Sequence, residues 1–190
     1  MYKEEGNEWM KAKTENNYHA ARDCYTYAMT FIAKEMIDPP QDDNELEALH
    51  QLQATLLSNR AMVSLALGNY GECLKDTNVS IALWPKNIKT YYRRCKALFA
   101  LKRFQECMDC CHDGLIIDPH NKDMLQLQED SERALMRIQQ LQNEKTLNKK
   151  KLRRDRSVCF NIAKKNNVSN TFQIYWTSFE WYYVGVIESS

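Results

Sequence analysis

Two segments of the sequence place polar side chains where they share one face of a helix. Both sets follow the spacing i, i+3, i+4 and i+7, and the second lies 34 residues after the first: Thr55, Ser58, Asn59 and Met62, then Lys89, Tyr92, Arg93 and Lys96. Near the N-terminus, Lys3 and Asn7 have an i, i+4 relation, which also places side chains on one helix face. Together these faces carry four cations, two Asn amides and no carboxylate, which is chemistry for binding an anion.

The expected ligand is a small acidic group on a peptide. Arginine offers a planar fork that bonds a carboxylate through two N–H groups, lysine adds a point charge, and asparagine can bond a carboxylate or a peptide group. The whole chain has 26 Lys and Arg against 25 Asp and Glu, a formal net charge of +1, so the gathered cations are a local feature. Because like charges across a groove repel one another, we expect an anion to fill it, such as a C-terminal carboxylate beside an Asp side chain.

A repeat of 34 residues explains how the chain could bring these faces together. Sliding the sequence on itself by 34 aligns the following pairs: Arg60 with Arg94, Ala66 with Ala100, Tyr70 with Phe104, Cys73 with Cys107 and Pro85 with Pro119. Each copy has a helical run, a short break, an aromatic residue, a second helical run and a closing proline. Two antiparallel helices of this kind bury their apolar faces only by stacking on neighbouring pairs. The first helix of each pair is expected to line the inner groove of the stack.

A third, looser copy is predicted at the start of the chain. Its first helix contains Gly6 to Met10, and Tyr18 opens its second helix. The connection between them is longer than in the other copies, so Thr14 to Asn16 is predicted to be a loop insertion. The second helix is expected to run to a break at Asp38-Pro39-Pro40, after which Asn44 is predicted to be the N-cap of the next helix.

The predicted fold class is all-α, with three stacked helix pairs in an α-solenoid and a long C-terminal capping helix. Five Gly and four Pro are too few for the many turns of an all-β domain or the Gly-rich loops of a typical α/β enzyme. We expect a three-repeat domain with a concave groove over 1–120, a basic and polar capping helix over 121–156, and an aromatic-rich tail over 157–190 that could be a shortened C-terminal region. Within the tail, 172–176 and 181–184 resemble short strands.

Three phrases of the sequence resemble the tetratricopeptide repeats of co-chaperones. They are Tyr2-Lys3-Glu4-Glu5-Gly6-Asn7-Glu8, Ser58-Asn59-Arg60-Ala61 and Lys89-Thr90-Tyr91-Tyr92-Arg93-Arg94. The opening phrase, the lengthened first hairpin, the Lys/Arg-rich helix and the segment 160–168 are similar to the family of tetratricopeptide repeat protein 4 and its fungal relative Cns. An immunophilin, whose repeats also carry an insertion in the first pair, is disfavoured because no isomerase domain fits in 190 residues.

The resemblance implies a two-carboxylate clamp and a co-chaperone function. Five residues match the clamp: Lys3, Asn7, Asn59, Lys89 and Arg93. Additional groove contacts are expected from four more: Ser58, Met62, Tyr92 and Lys96. In that family the clamp holds the C-terminal Glu-Glu-Val-Asp of heat-shock protein 90 or heat-shock protein 70. The implied partner is therefore the C-terminal peptide of one or both chaperones. A client protein, or a replication or translation factor, would be a further partner that the sequence does not identify.

No cofactor, metal or enzymatic activity is expected. The run from Cys107 to His112 contains metal-ligand types, but zinc usually needs four ligands and no second Cys/His pair lies at a suitable spacing. Cys107 and Cys111 fall at positions where the repeat packs small core side chains. The four histidines are scattered, and no Ser or Cys nucleophile has an evident base as a partner.

The run from Asn148 to Arg156 is strongly basic and supports two alternative functions. It could be a nuclear import signal or a nucleic-acid patch, although a solvated helix face is the simpler interpretation and nucleic-acid binding is not favoured. A general scaffold that binds another protein through its convex face is the third alternative. The expected location is the cytoplasm, with the nucleus as a second compartment. No segment approaches 18 uninterrupted apolar residues, so no membrane association is expected.

Overall fold

The 34-residue pattern folds as helix pairs in the computed structural model of the chain. The structure describes residues 1–11, 13–37, 40 and 42–165. This part contains seven α-helices and no strand. The all-α fold class is confirmed, and the two predicted strands lie outside the described residues.

Three helix pairs follow one another along the chain, and a seventh helix follows the third pair. The helices are α1 (Tyr2–Lys11), α2 (Glu15–Glu35), α3 (Asp43–Ala66), α4 (Tyr70–Leu83), α5 (Ile88–Ala100), α6 (Phe104–Ile117) and α7 (Lys122–Lys165). Each helix from α1 to α5 packs against the next, and α3 also contacts α5. Because α3 touches α5, the first helices of repeats two and three are neighbours, as expected of a repeat stack.

The breaks between helices follow local turn chemistry. Gly68 ends the first helix of repeat two with φ of 73°, and Lys102 takes the same place in repeat three with φ of 59°. Both residues adopt the left-handed conformation that commonly ends a helix, which glycine accepts without steric cost. These two breaks lie where the sequence predicts them.

Two predicted helix starts are wrong by a few residues. Thr14 to Asn16 is not a loop insertion, because Thr14 is the N-cap of α2 and its Oγ1 accepts the backbone N–H of Asn17 at 3.4 Å. The N-cap of α3 is Asp42 rather than Asn44: an Asp42 carboxylate oxygen accepts the backbone N–H of Asn44 at 3.2 Å. Two neighbouring residues of the capping type compete here, and the earlier one satisfies the free N–H groups.

The core consists of three groups of buried side chains between consecutive helices. Tyr25, Ile32, Leu56 and Val63 form the group at repeat one, and Tyr91, Leu98 and Met124 belong to the group at repeat three. A small group between them contains Ala61, Cys73 and Ala97. Met124 lies in α7 and is fully buried, so the first turns of α7 cap the third repeat, as predicted.

The chain divides into two compact units, Met1–Arg137 and Ile138–Ser190. The first contains the three repeats and the first turns of α7. In the second, the described residues are the helical segment 138–165. The residues from Lys145 to Arg156, which include the basic run, are exposed on this segment. Within the described part of the chain, no helix combines the length and apolar composition that crossing a lipid bilayer requires.

Candidate functional site

The polar faces predicted on three separate helices lie in the first unit, where contacts between helices join five of the predicted residues: Asn7, Ser58, Asn59, Met62 and Arg93. We call the following set the binding face: Lys3, Asn7, Ser58, Asn59, Met62, Lys89, Tyr92, Arg93 and Lys96. Asn59 on α3 donates its side-chain N–H to Asn7 Oδ1 on α1 at 3.3 Å. Arg93 on α5 donates from a terminal guanidinium nitrogen to Asn59 Oδ1, also at 3.3 Å. One row of side-chain hydrogen bonds therefore links α1, α3 and α5.

The close approach of α1 to α2 depends on a glycine beside Asn7. A Cβ atom at Gly6 would lie 2.6 Å from a ring carbon of Tyr25 on α2, so any larger residue would push the helices apart. The Tyr25 ring is 1% exposed, and its hydroxyl donates to Asn7 Oδ1 at 2.7 Å. Packing at Gly6 thus fixes the position of the next residue, which belongs to the binding face.

Asn7 has its acceptor occupied and its donors available. The Tyr25 hydroxyl and the Asn59 amide both donate to Asn7 Oδ1. Because an amide oxygen has two lone pairs, this oxygen is saturated. The two N–H groups of the Asn7 side chain therefore remain for a ligand that accepts hydrogen bonds, such as a carboxylate.

Arg93 is a partly buried cation without an acidic partner among the described residues. Its guanidinium donates to Ser58 Oγ as well as to Asn59, and one nitrogen lies 3.5 Å from Met62 Sδ. Burial lowers the pKa of Arg93 from its ordinary value, and Tyr25 and Cys73 oppose that change. A guanidinium stays protonated in proteins, so Arg93 is a charge that the fold has desolvated without neutralising it.

A row of buried hydroxyl groups supports Arg93 from behind. Thr90 Oγ1 donates to Ser58 Oγ at 2.9 Å and lies 3.1 Å from Ser80 Oγ, and Ser80 donates to the backbone carbonyl of Ala54 at 2.8 Å. Ser58, Ser80 and Thr90 are each at most 1% exposed. Because Ser58 accepts from both Thr90 and Arg93, the hydroxyl row restricts where the guanidinium can lie.

Lys89 and Lys96 of the binding face are exposed, whereas Lys3 and Arg93 are partly buried. Lys3 Nζ lies 3.4 Å from a carboxylate oxygen of Glu4, with 36% of the Lys3 side chain exposed. Lys89 is exposed one turn before Arg93 and forms no ion pair within the described residues. Lys96 lies over the ring of Tyr92 at 5.2 Å from its centroid. An exposed pair such as Lys3–Glu4 contributes little, so a ligand carboxylate can replace Glu4 at small cost.

The structure adds residues that sequence reasoning missed. Tyr25 and the hydroxyl row of Ser80 and Thr90 hold the binding face from behind, although none was predicted to belong to the site. Of these residues, Tyr25 has a signal in the sequence. It occupies the repeat position that Thr77 and Cys111 hold in the later repeats. An unusually large polar residue at that place indicates an additional contact.

Three helix pairs with a 34-residue period, and a polar face on their first helices, define a tetratricopeptide-repeat domain. No family model matches the chain. Human tetratricopeptide repeat protein 4 is 30% identical over 168 residues, which are 88% of this chain and 39% of the human protein. The Hsp70/Hsp90 co-chaperone CNS1 of Saccharomyces cerevisiae is 30% identical over 127 residues, 66% of this chain and 29% of the yeast protein. The chain thus spans about a third of the length of these relatives.

Solved structures agree with these relatives. The Hsp90 co-chaperone Cns1 from Saccharomyces cerevisiae has a TM-score of 0.63 and 28% identity, and the match covers 85% of this chain and 46% of that one. The first repeat domain of Spaghetti (RPAP3), bound to the HSP90 peptide SRMEEVD, has a TM-score of 0.56 and 26% identity over 71% of this chain and 90% of that one. The second repeat domain of human RPAP3, in complex with the HSP70 peptide SGPTIEEVD, has a TM-score of 0.53 and 26% identity over 69% of this chain and 92% of that one. The chain belongs to the family of tetratricopeptide repeat protein 4 and Cns1.

Proposed function

We propose that the chain is a co-chaperone adaptor whose binding face holds the acidic C-terminal peptide of heat-shock protein 90, heat-shock protein 70 or both. The observation that carries this proposal is the environment of Arg93. A partly desolvated guanidinium with no carboxylate partner among the described residues favours binding of an anion from elsewhere. The names of the relatives and the peptides bound in the neighbouring structures indicate which anion this is.

The arrangement of donors suits two carboxylates side by side. At one end Lys3 and Asn7 lie on α1, and at the other Lys89 and Arg93 lie on α5, with Asn59 between them. A peptide that ends in Asp presents a terminal carboxylate and a side-chain carboxylate a few ångströms apart. Each end of the face supplies a cation for one of them, and the amides add directed hydrogen bonds that a point charge alone lacks.

The remaining contacts would select the residues before the terminal Asp. Met62 is 44% exposed on α3 beside Arg93, and a flexible thioether can adapt to an apolar side chain such as the Val of Glu-Glu-Val-Asp. Tyr92 and Lys96 extend the same face one turn further along α5. Specificity would then depend on the terminal carboxylates, with apolar contact adding affinity.

An adaptor of this kind requires no catalysis by the chain. Its contribution is to bring a bound chaperone together with a further partner. We place it in the cytoplasm, with the nucleus as a second location. The basic run of the second unit is the basis of the alternative function in nucleic-acid binding. The two proposals differ in which cations matter, so one set of variants separates them.

The test is a calorimetric titration of the full chain with a peptide ending in Glu-Glu-Val-Asp. Arg93→Ala removes a charge-assisted donor, so we expect it to weaken binding by about 1.5–3 kcal/mol, or roughly 10- to 150-fold. The matched control is Arg103→Ala, which removes the same charge from an exposed Arg103–Glu106 pair outside the binding face.

Two results would contradict the proposal. Unchanged peptide affinity in Arg93→Ala would show that the binding face is not the clamp. Loss of chaperone capture in a variant that neutralises Lys149 to Arg154, with capture intact in Arg93→Ala, would assign recognition to the basic run instead.

A further inference from the structure

Repeat three contains a group of thiols inside its core. Cys95 on α5 and Cys107 and Cys111 on α6 are each 0% exposed, and their three sulfur atoms lie within 4.8 Å of one another. None of the six described cysteines forms a disulfide. A fourth buried thiol of this repeat, Cys110, lies beside Cys95 and donates to the backbone carbonyl of Tyr91 at 3.7 Å, but it is not one of the three sulfur atoms that lie within 4.8 Å of one another. We call Cys95, Cys107 and Cys111 the thiol triad.

The triad replaces three small or neutral residues of the other repeats. At the equivalent places repeat two has Ala61, Cys73 and Thr77, with a single thiol. Repeat one has Gly6, Ala21 and Tyr25, with none. In repeat three these places lie where α5 packs on α6, so cysteine at all three brings the sulfur atoms together. The other two repeats fill these places in their cores without a triad, so core packing alone does not require three thiols.

The spacing and surroundings of the triad select a class of ligand. Sulfur–metal bonds of about 2.3 Å place three sulfur atoms about 4 Å apart around a central ion, so the side chains need to move by less than about 1 Å. The site is dry, because all three thiols and the neighbouring Ser131 of α7 are 0% exposed. A buried complex with a net charge is costly, so a neutral complex with exactly three soft ligands is favoured.

We propose that the thiol triad is a binding site for a soft, trivalent, three-coordinate ion, for which arsenous acid is the probe. Arsenous acid and three thiols give one arsenic centre with three As–S bonds and three water molecules. Each thiol proton leaves with one hydroxyl group of the acid, no electron is transferred, and the product has no net charge. Zinc would lack its usual fourth ligand, and copper(I) with three thiolates would leave excess negative charge in the core.

The three thiols of the triad are hydrogen-bonded to one another. Hydrogen bonds from Cys111 and Cys95 lower the pKa of the Cys107 thiol, whereas the bond to Cys107 raises the pKa of Cys111 and of Cys95. The ligand reaches the triad when repeat three opens locally, since the folded core leaves no thiol of the triad accessible.

The experiment measures uptake of arsenite by the reduced full chain, both added to the folded protein and present during refolding from urea. Intact-mass spectrometry should show a gain of one arsenic atom and a loss of three hydrogen atoms. A site of only two thiols would retain a hydroxyl group on the arsenic, which gives a different mass. X-ray absorption at the arsenic edge should show three sulfur neighbours and no oxygen neighbour.

Matched variants identify the ligands. Cys107→Ala should weaken uptake at least tenfold and abolish the three-thiol mass. The controls Cys73→Ala, at the equivalent position of repeat two, and Cys110→Ala, beside the triad, should bind as the parent does. Ala21 fills the place of Cys107 in repeat one, so the variant is expected to fold, and its unfolding midpoint without arsenite verifies this. Equal uptake by Cys107→Ala and Cys73→Ala, or no three-thiol adduct even after refolding in arsenite, would overturn the proposal.

Discussion

Arg60 and Arg93 are both partly buried in the repeat stack, yet their surroundings are opposite. Arg60 donates two hydrogen bonds to the carboxylate of Asp76, at 2.7 and 2.9 Å, and a third to Thr26. The hydrogen bond to Asp76 raises the pKa of Arg60. Arg93 has hydroxyl, amide and thioether neighbours, and burial lowers its pKa. The fold neutralises the first cation itself and leaves the second without an acidic partner among the described residues.

The difference shows that the same repeat pattern can hold both a paired arginine, in repeat two, and an arginine without an acidic partner among the described residues, in repeat three. Arg93 and Arg94 are adjacent on α5 but face different neighbours: Arg93 contacts the binding face, and Arg94 contacts the preceding pair of helices. In repeat three the place of Asp76 is taken by Cys110, and Arg94 bonds to Asn78 instead. Repeat three therefore carries cations without the acid that repeat two supplies, which concentrates positive charge at the end of the binding face nearest α5.

The largest expected effect is on stability and comes from the paired arginine. Asp76→Asn leaves a partly buried guanidinium without its counter-charge, so we expect the free energy of unfolding in urea to fall by about 3 kcal/mol. This value is the low end of the range for a broken buried pair, because the Arg60 side chain remains about a quarter exposed. Affinity for the Glu-Glu-Val-Asp peptide should not change in the folded variant. A variant of unchanged stability, or one that folds but binds weakly, would remove the distinction between the two arginines.

A smaller effect is expected from the tyrosine behind the binding face. Tyr25→Phe keeps the buried ring and removes only the hydrogen bond that orients Asn7, so peptide affinity should fall by about 0.5–1.5 kcal/mol. Adding Tyr25→Phe to Asn7→Ala should have little further effect, because the Tyr25 hydroxyl has no amide left to orient once Asn7 is replaced. Tyr70→Phe is the control, since that ring lies outside the binding face. Full additivity in the double variant would show that Tyr25 does not act through Asn7.

The smallest expected effect is that of salt, which should weaken peptide binding more than it weakens the coupling between Arg60 and Asp76. Raising the ionic strength from about 0.1 M to about 1 M shortens the screening length from about 10 Å to about 3 Å. Peptide affinity should fall several-fold, because Lys3 and Lys89 meet their ligand at an exposed surface. The coupling between Arg60 and Asp76, measured by a double-mutant cycle, should change much less because that pair is more buried. Salt-independent peptide binding would contradict an ionic clamp.

The repeat period made most of the fold predictable, since residues 34 apart must occupy equivalent places. It also placed Asn59 and Arg93 on neighbouring helices, where the structure joins them by a hydrogen bond. The caps were less predictable because Asp42 and Asn44 are both residues of the capping type, and the structure uses the earlier one. The role of Tyr25 was not predictable either, because it arises from a contact across two helices at Gly6.

The thiol triad shows the same limit of prediction from sequence. The sequence placed Cys107 and Cys111 together in the core because they lie one turn apart on α6. Cys95 belongs to α5, and only the packing of the two helices brings it to the same place. Spacing along one helix is readable from sequence, whereas a contact between helices also requires their rotation and separation.

The most direct test of the account compares two forms of one peptide by calorimetry. A Glu-Glu-Val-Asp peptide with a free C-terminus should bind the full chain, and the same peptide with an amidated C-terminus should lose nearly all affinity, because amidation removes the terminal carboxylate and leaves every other contact in place. Equal binding of the two peptides would contradict the claim that the cations and amides of the binding face recognise a C-terminal carboxylate.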